Sequence, residues 1–320
     1  MSEEFFWRVA MPSLKESFPN HWDRIGAGLV GNGSECLGFD DDLSSDHDWG
    51  IEFFMWLTQE DFAEIGEQVI EWKRALFAAH PEEPFRVISD YGVRSTVMTP
   101  QAFFISLIGS PGAPEKILDW RRVPEANFVM VTNGRIFTDP IGEFTAIREA
   151  ILKYYPRDLW LKKIAARCLA VAQTGQYNYL RTAQRGDRVT CEVILAKFVE
   201  DVISMVFLLN KRFMPYYKWA LRAMRDLPLL SAQIAPKLEQ LYSGEMVEGE
   251  IPAGNVVVHE IEPVDKSRAI VIEVICALIA DELRRQGLSD SSSTFLVQHG
   301  EEVQSRIEDP KLASLPTQYE

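Results

Sequence analysis

The stretch "AGLVGNGSECLGFDDDLSSDHDWGIEFFMWL", residues 27–57, decides the fold of the N-terminal half. It opens with a short apolar run, 27–31, that ends in glycine, which is typical of a buried strand leading into a turn. It closes with an apolar and aromatic run, 48–57, that is typical of a second strand. Residues 31–50 between them hold six carboxylates, so these strands support a loop of concentrated negative charge.

The residues that follow predict a unit that mixes strands and helices. A helix is predicted over 58–79, with Thr58 as its N-cap. Two further strands are predicted within 84–99, and Pro100 opens a second helix that stops at Gly109. This order of strand, turn, strand, helix, strands and helix indicates an α+β or α/β unit.

The second half has the periodicity of helices instead. The segment 134–142 is interpreted as a bridge, and 251–262 and the polar residues after Val297 interrupt or end the helical pattern. The predicted helices are roughly 143–154, 157–182, 190–212, 216–226 and 264–286. We therefore predict an α+β protein with two domains, a mixed sheet with flanking helices over 1–140 and an all-α helical bundle over 141–320.

Composition narrows the classes of partner. The formal net charge of −14 and the pI near 4.9 disfavour binding to nucleic acid or to an anionic membrane, since both require a basic face. The four cysteines lack metal-ligand spacing, and no apolar run reaches the roughly 18 residues of a membrane span. The N-terminal residues are acidic and do not resemble a signal peptide. A cytoplasmic protein is expected.

The acidic loop suggests a metal and phosphate site. Asp46 and Asp48 would project to the same side of a strand, and a hard divalent cation such as Mg²⁺ makes that pairing favourable. Upstream, Gly33 and Ser34 belong to a turn whose backbone N–H groups can approach a phosphate. A glycine turn alone, or an Asp-x-Asp alone, is common in solvated loops, but their ordered combination between two strands is far more specific.

This combination resembles the nucleotidyltransferase superfold of DNA polymerase β and the antibiotic nucleotidyltransferases, whose signature is Gly-Ser followed after about ten residues by Asp-x-Asp. Here Ser34 and Asp46 are separated by residues 35–45. The resemblance implies that Gly33 and Ser34 contact nucleotide phosphates. It also implies that Asp46 and Asp48 are the catalytic carboxylates that bind Mg²⁺.

A second resemblance covers residues about 25 to 226, which look like the bacterial family catalogued as domain of unknown function 4037. It rests on "GSECLGFDDDLSSDHDWG" (33–50), "YYPRDLWL" (154–161), "RTAQRGD" (181–187) and "FMPYYKW" (213–219). Members tend to carry Val-Glu-Val where this chain has "GVRSTVMT", so Thr96 stands near the place of a third acid. Asp90 and Glu52 are alternatives for that role, and "WGPR" of the family is "WGIE" here.

Two cations of the helical half are candidates for neutralising a triphosphate. Arg181 precedes a Gly-Asp pair, and Lys218 lies between Tyr217 and Trp219. Arginine recognises phosphate through its planar fork and lysine as a point charge. The alternative for both is a salt bridge or a solvated side chain.

The leading hypothesis is a Mg²⁺-dependent nucleotidyltransferase that moves an NMP from an NTP, with ATP expected, to a hydroxyl of a small-molecule acceptor. The acidic balance favours a cationic acceptor. One alternative is a nucleotide-binding protein that lacks transfer activity because the third acid is missing. Another is an interaction module of the toxin–antitoxin type.

Overall fold

A computed structural model describes residues 1–41, 50–86, 96–249 and 261–319. The chain divides into two compact units, Met1–Tyr154 and Tyr155–Glu320. The first unit combines helices with a small mixed sheet, and the described residues of the second are built mainly from helices. The assignment of separate domains to 1–140 and 141–320 stays a prediction.

Four short strands form the sheet of the first unit. They are β1 Gly26–Leu29, β2 Phe54–Trp56, β3 Val97–Met98 and β4 Arg135–Thr138, in the order β3-β2-β1-β4. Strand β1 is antiparallel to β2 and to β4, whereas β2 and β3 are parallel. The sequence pattern missed β4, because 134–142 was interpreted as a bridge. A side chain at Gly28 would place its Cβ 2.6 Å from the carbonyl oxygen of Arg135. Strand β4 can therefore approach β1 this closely only because residue 28 has no side chain.

Helices cover the sheet. They are α1 Ser2–Phe5, a π-helical segment Phe6–Ala10, α2 Met11–Ser17, α3 Ser34–Leu37, α4 Gln59–Ala78, α5 Pro100–Ile108, α6 Ile117–Arg122, α7 Glu125–Thr132 and α8 Glu143–Leu152. The predicted starts of α4 and α5 are confirmed. Thr58 Oγ1 accepts a hydrogen bond from the Asp61 amide at 3.1 Å, and Gly109 ends α5 in the left-handed conformation.

Alternation along β2 separates two apolar layers. Phe53 and Met55 belong to the buried core formed with the N-terminal helix and α4, whereas Trp56 stacks on Phe144 of α8 with ring centroids 3.7 Å apart. Phe103 of α5 packs edge-on against Trp56. Residues two apart on a strand share a face, so this run of aromatic residues fills both sides of the sheet.

The second unit is organised around α9. Its helices are α9 Arg157–Val171, a π-helical segment Ala172–Tyr179, α10 Leu180–Ala183, α11 Arg188–Leu209, α12 Tyr217–Met224, α13 Ser231–Ser243, α14 Pro263–Arg285, α15 Leu296–Ser305 and α16 Pro310–Ala313. Helix α9 packs against α11 and α15. Within the described ranges, no helix has the length and apolarity that crossing a membrane requires.

The structure corrects two expectations for this unit. Residues 231–243 form α13 although no helix was predicted there, and the polar tail expected after Val297 contains α15 and α16. That C-terminal segment is fastened to α9. The ammonium of Lys162 donates to the carbonyl oxygens of Leu315 and Pro316 at 3.1 and 2.8 Å.

Candidate functional site

The predicted phosphate turn lies directly after β1. Gly31 and Gly33 have φ angles of 102° and 110°, which L side chains rarely adopt, and Gly33 caps the single turn of α3. Asn133 fixes the turn from the loop before β4. Its Oδ1 accepts from the Gly31 amide at 2.9 Å, and its Nδ2 donates to the Gly31 carbonyl at 2.8 Å. Asn133 therefore anchors the turn through both backbone groups of Gly31.

The polar groups of this turn are only partly engaged in hydrogen bonds. The Ser34 hydroxyl donates a hydrogen bond to the carboxylate of Asp40. Among the described residues, no acceptor is recorded for the amides of Asn32, Gly33 and Ser34. The turn thus has hydrogen-bond donors available for an anion.

Arg86, which belongs to none of the sequence motifs, faces the turn. Nη2 of Arg86 lies 3.5 Å from the position that a Cβ of Gly33 would occupy. The backbone of Arg86 is fixed beside the start of β2, because its amide donates to the Ile51 carbonyl at 3.1 Å and Ile51 donates to Pro84 at 2.7 Å. The guanidinium therefore reaches from the β2 side of the sheet to the turn after β1.

The hydrogen-bonding capacity of Arg86 is not used up. Its side chain is 12% exposed, and its Nε and Nη2 are buried without a hydrogen-bond partner in the part of the chain that the structure describes. Its ion pair is with Glu35, at 3.7 Å between Nη2 and Oε2, which is too long for a hydrogen bond. Buried polar groups are normally paired, so these N–H groups require an explanation.

Burial changes the pKa values of two groups next to the turn, the Glu35 carboxyl and the Cys36 thiol. Burial raises the pKa of Glu35 above its ordinary value, while Arg86 lowers it and Asp40 raises it further. Burial also raises the pKa of the Cys36 thiol to about 12, so Cys36 is not a nucleophile at neutral pH. Burial therefore makes ionisation of Glu35 less favourable than that of an exposed glutamate.

Glu52, an alternative for the missing third acid, is committed to another partner. Its carboxylate accepts from the buried ammonium of Lys73 and from the Phe53 amide at 2.8 Å. Lys73 also donates to the Phe53 carbonyl and to the Thr96 hydroxyl. Thr96, which stands near the expected place of a third acid, is thus part of an internal network around an ion pair. Desolvation lowers the pKa of Lys73, and Glu52 opposes that shift.

The remaining predicted acids lie outside the described residues. Asp46 and Asp48, the predicted catalytic and metal-binding pair, fall within 42–49, and Asp90 falls within 87–95. In the ranges that are described, no group of three or more His, Cys, Asp or Glu side chains is placed to hold a metal ion. The magnesium site remains a prediction.

The two predicted cations of the helical half belong to the second unit. The guanidinium of Arg181 stacks on Tyr177 at 3.7 Å from the ring centroid, and the ammonium of Lys218 lies 5.1 Å from the ring centroid of Trp219. Both cations thus have local aromatic partners. Gly33 and Ser34, by contrast, belong to the first unit.

Each unit also contains a cavity. In the first, a cavity of about 970 Å³ lies beside α5 and the loop 109–116, and its lining includes both Lys116 and Glu143. In the second, Met214 and Tyr217 of the "FMPYYKW" segment help to line an apolar cavity of about 320 Å³. The lining of the first cavity carries charges of both signs, and that of the second is apolar except for Glu200, so neither lining concentrates positive charge for an anion.

Comparison with known proteins gives one match. The family model described as domain of unknown function (DUF4037) matches residues 120–220. This supports the family resemblance over about a third of the chain, including three of its four motifs, whereas the segment 33–50 lies outside the match. No curated protein and no solved structure matches the chain.

Motifs inside the matched region have structural roles. Asp158 of "YYPRDLWL" accepts hydrogen bonds from the amides of Glu308 and Asp309 at 3.0 and 2.6 Å. Asp187 of "RTAQRGD" caps α11 by accepting from the Thr190 amide at 3.1 Å. These carboxylates fasten helix ends. Asp158 and Asp187 are therefore explained by structural contacts, without a role at a functional site.

Proposed function

We propose that this chain is a Mg²⁺-dependent nucleotidyltransferase that transfers an NMP from an NTP, with ATP as the first candidate, to a hydroxyl of a small-molecule acceptor. The fold of the first unit would be that of the nucleotidyltransferase superfamily. The proposal rests on the ordered Gly-Ser and Asp-x-Asp signature and on the surroundings of its Gly-Ser half.

Sheet topology supports a single site at one end of the sheet. Because β1 and β2 are antiparallel, with Gly28 opposite Phe54, the turn after β1 lies at the end where β2 starts. Because β2 and β3 are parallel, β3 starts at that end too. The Asp-x-Asp pair comes shortly before β2 in the sequence. The predicted phosphate turn and the start of the strand that follows the predicted metal ligands therefore lie at the same end of the sheet.

The roles follow from charge. Gly33 and Ser34 would present backbone N–H groups and a hydroxyl to the phosphates, and Asp46 and Asp48 would hold Mg²⁺, which neutralises the developing charge. Arg181 and Lys218 remain proposed phosphate contacts from the helical unit. The acceptor hydroxyl would attack the α-phosphorus, with the P–O bond to pyrophosphate breaking and the hydroxyl proton passing to a base.

The observation that carries the proposal is the rigid glycine turn after β1 with unused donors. It is tested by isothermal titration calorimetry of the full chain with each of the four NTPs, with and without Mg²⁺. We expect one NTP to bind in the presence of Mg²⁺ and Asp48→Asn to abolish that dependence on the metal. Asp42→Asn removes one charge from the same acidic loop and should bind as wild type. Absence of Mg²⁺-dependent NTP binding by the wild-type protein would overturn the proposal.

A second candidate is a nucleotide-binding protein without transferase activity. The observation that favours it is the engagement of Glu52 by Lys73, since that carboxylate is then committed to an internal ion pair and Thr96 beside it offers only a hydroxyl. A pyrophosphate-release assay with a panel of hydroxyl-bearing amines separates the candidates. Release that depends on acceptor supports the transferase, and tight Mg²⁺-dependent binding without release under any acceptor supports the second candidate.

A further inference from the structure

Arg86 combines three features that are unusual for a buried side chain. It is 12% exposed, its guanidinium faces a residue without a side chain, and two of its nitrogens are buried with no hydrogen-bond partner among the described residues. A structural arginine of this burial would normally have its donors paired. The geometry is that of a cation with hydrogen bonds still to make.

The carboxylate beside Arg86 does not satisfy its hydrogen-bond donors. Glu35 Oε2 is 3.7 Å from Nη2, beyond hydrogen-bond distance. Burial raises the pKa of Glu35, and the neighbouring Asp40 raises it further, while Arg86 lowers it. An anion with several oxygens would serve the guanidinium better, because arginine donates in a planar fork that matches phosphate oxygens.

The glycine opposite Arg86 lets the guanidinium lie against the phosphate turn. Gly33 has a φ of 110°, and the nearest atoms to its absent Cβ are Nη2 and Nη1 of Arg86, at 3.5 and 3.9 Å. The neighbouring Ser34 adds a hydroxyl on the same turn. The guanidinium, the backbone of Gly33 and the Ser34 hydroxyl therefore lie next to one another at one side of the turn.

We propose that Arg86 is a phosphate-binding residue, contacting a polyphosphate held against the Gly33–Ser34 turn. This inference rests on the proposed function and names the cation of the first unit that recognises its nucleotide. Arg86 is therefore a binding residue that contacts the phosphates, and it has no proposed contact with the acceptor hydroxyl.

The test is calorimetric titration of the full chain with inorganic tripolyphosphate and, separately, with Mg²⁺ and the NTP that binds best. Arg86→Gln should weaken both affinities about tenfold or more, the amount expected for a charge-assisted hydrogen bond. Arg86→Lys keeps the positive charge but lacks the planar guanidinium, so its affinities should lie between those of the wild type and Arg86→Gln. Arg74→Gln removes an arginine that is 75% exposed on α4 and should bind as wild type.

A second pair of variants does not depend on Arg86→Gln folding normally. Gly33→Ala places a methyl group in front of the guanidinium, whereas Gly38→Ala introduces a methyl at another positive-φ glycine, where no atom lies within 4 Å. Both variants carry backbone strain, but Gly33→Ala alone should weaken tripolyphosphate binding. Thermal melting of every variant checks that the protein is folded.

The outcomes separate the two proposals. Unchanged affinity in both Arg86→Gln and Gly33→Ala overturns the role of Arg86 and leaves the nucleotidyltransferase proposal standing. Tripolyphosphate binding that requires Arg86, without binding of any NTP, supports the role of Arg86 as an anion contact and overturns the nucleotidyltransferase proposal. Failure of the wild-type chain to bind either ligand overturns both.

Discussion

Two buried cations at the start of β2 differ in how fully they are used. Lys73 and Arg86 are both in the first unit, with side chains 6% and 12% exposed. The Lys73 ammonium bonds to a carboxylate, a carbonyl and a hydroxyl. Arg86 has one distant carboxylate and buried N–H groups without a partner in the described ranges. The first cation maintains the fold, and the second has capacity for a ligand.

The strongest test of this comparison is Lys73→Met. The change leaves the Glu52 carboxylate buried without its cation, which costs about 3–5 kcal/mol in the free energy of unfolding. Urea denaturation of the full chain measures it. Arg86→Gln should destabilise less, because Glu35 is only partly buried and can take up a proton.

Two further variants control that measurement. Arg74→Met, on the exposed face of the same helix, should change stability by no more than about 0.5 kcal/mol. Combining Glu52→Gln with Lys73→Met should recover much of the loss, because no unpaired charge then remains buried. A loss below about 1 kcal/mol in Lys73→Met would mean that Lys73, like Arg86, is not essential to the fold.

The turn that Arg86 faces depends on a different residue for its shape. Asn133→Ala removes both hydrogen bonds to Gly31, whose backbone is buried, and should lower the free energy of unfolding by about 2 kcal/mol. It should also weaken tripolyphosphate binding by disordering the turn. Asn127→Ala, which removes a single side-chain bond to the Leu107 carbonyl, is the matched control and should leave tripolyphosphate affinity unchanged. Undiminished affinity in Asn133→Ala would show that the clamp is dispensable.

Elements with local signals were predictable from the sequence. Thr58 and Pro100 mark the starts of α4 and α5 because capping and the fixed φ of proline act within one turn of a helix. Strand β4 carries no such signal. Its four residues, none of them buried, become a strand only by pairing with β1, which is more than a hundred residues earlier in the chain. Helix α15 similarly depends on packing against α9.

The candidate site likewise has one part with a local sequence signal and one part that depends on long-range contacts. The glycine turn was predicted because the Gly-x-Gly-Ser pattern is local, and its positive φ angles agree with that prediction. Arg86 was missed, because it meets Gly33 only through the parallel bridge between Ile51 and Phe85. A Phe-Arg-Val triplet in a predicted strand gives no sign of which neighbour its arginine will face.

The smallest expected effect concerns Glu35, the acid that pairs with Arg86 within the described ranges. Glu35 has a pKa above 4.5, so its folded state binds more protons than its unfolded state, and stability falls as pH rises from that value through the folded pKa. Arg86 lowers this pKa, so Arg86→Gln should raise it further and move the upper end of that window to higher pH. Carbon-13 NMR titration of the Glu35 carboxyl measures the shift. An unchanged pKa of Glu35 in Arg86→Gln would mean that the guanidinium is not held beside Glu35 in solution. Arg86 and Lys73 would then differ in where their side chains lie, and the comparison of their hydrogen-bond partners would no longer hold.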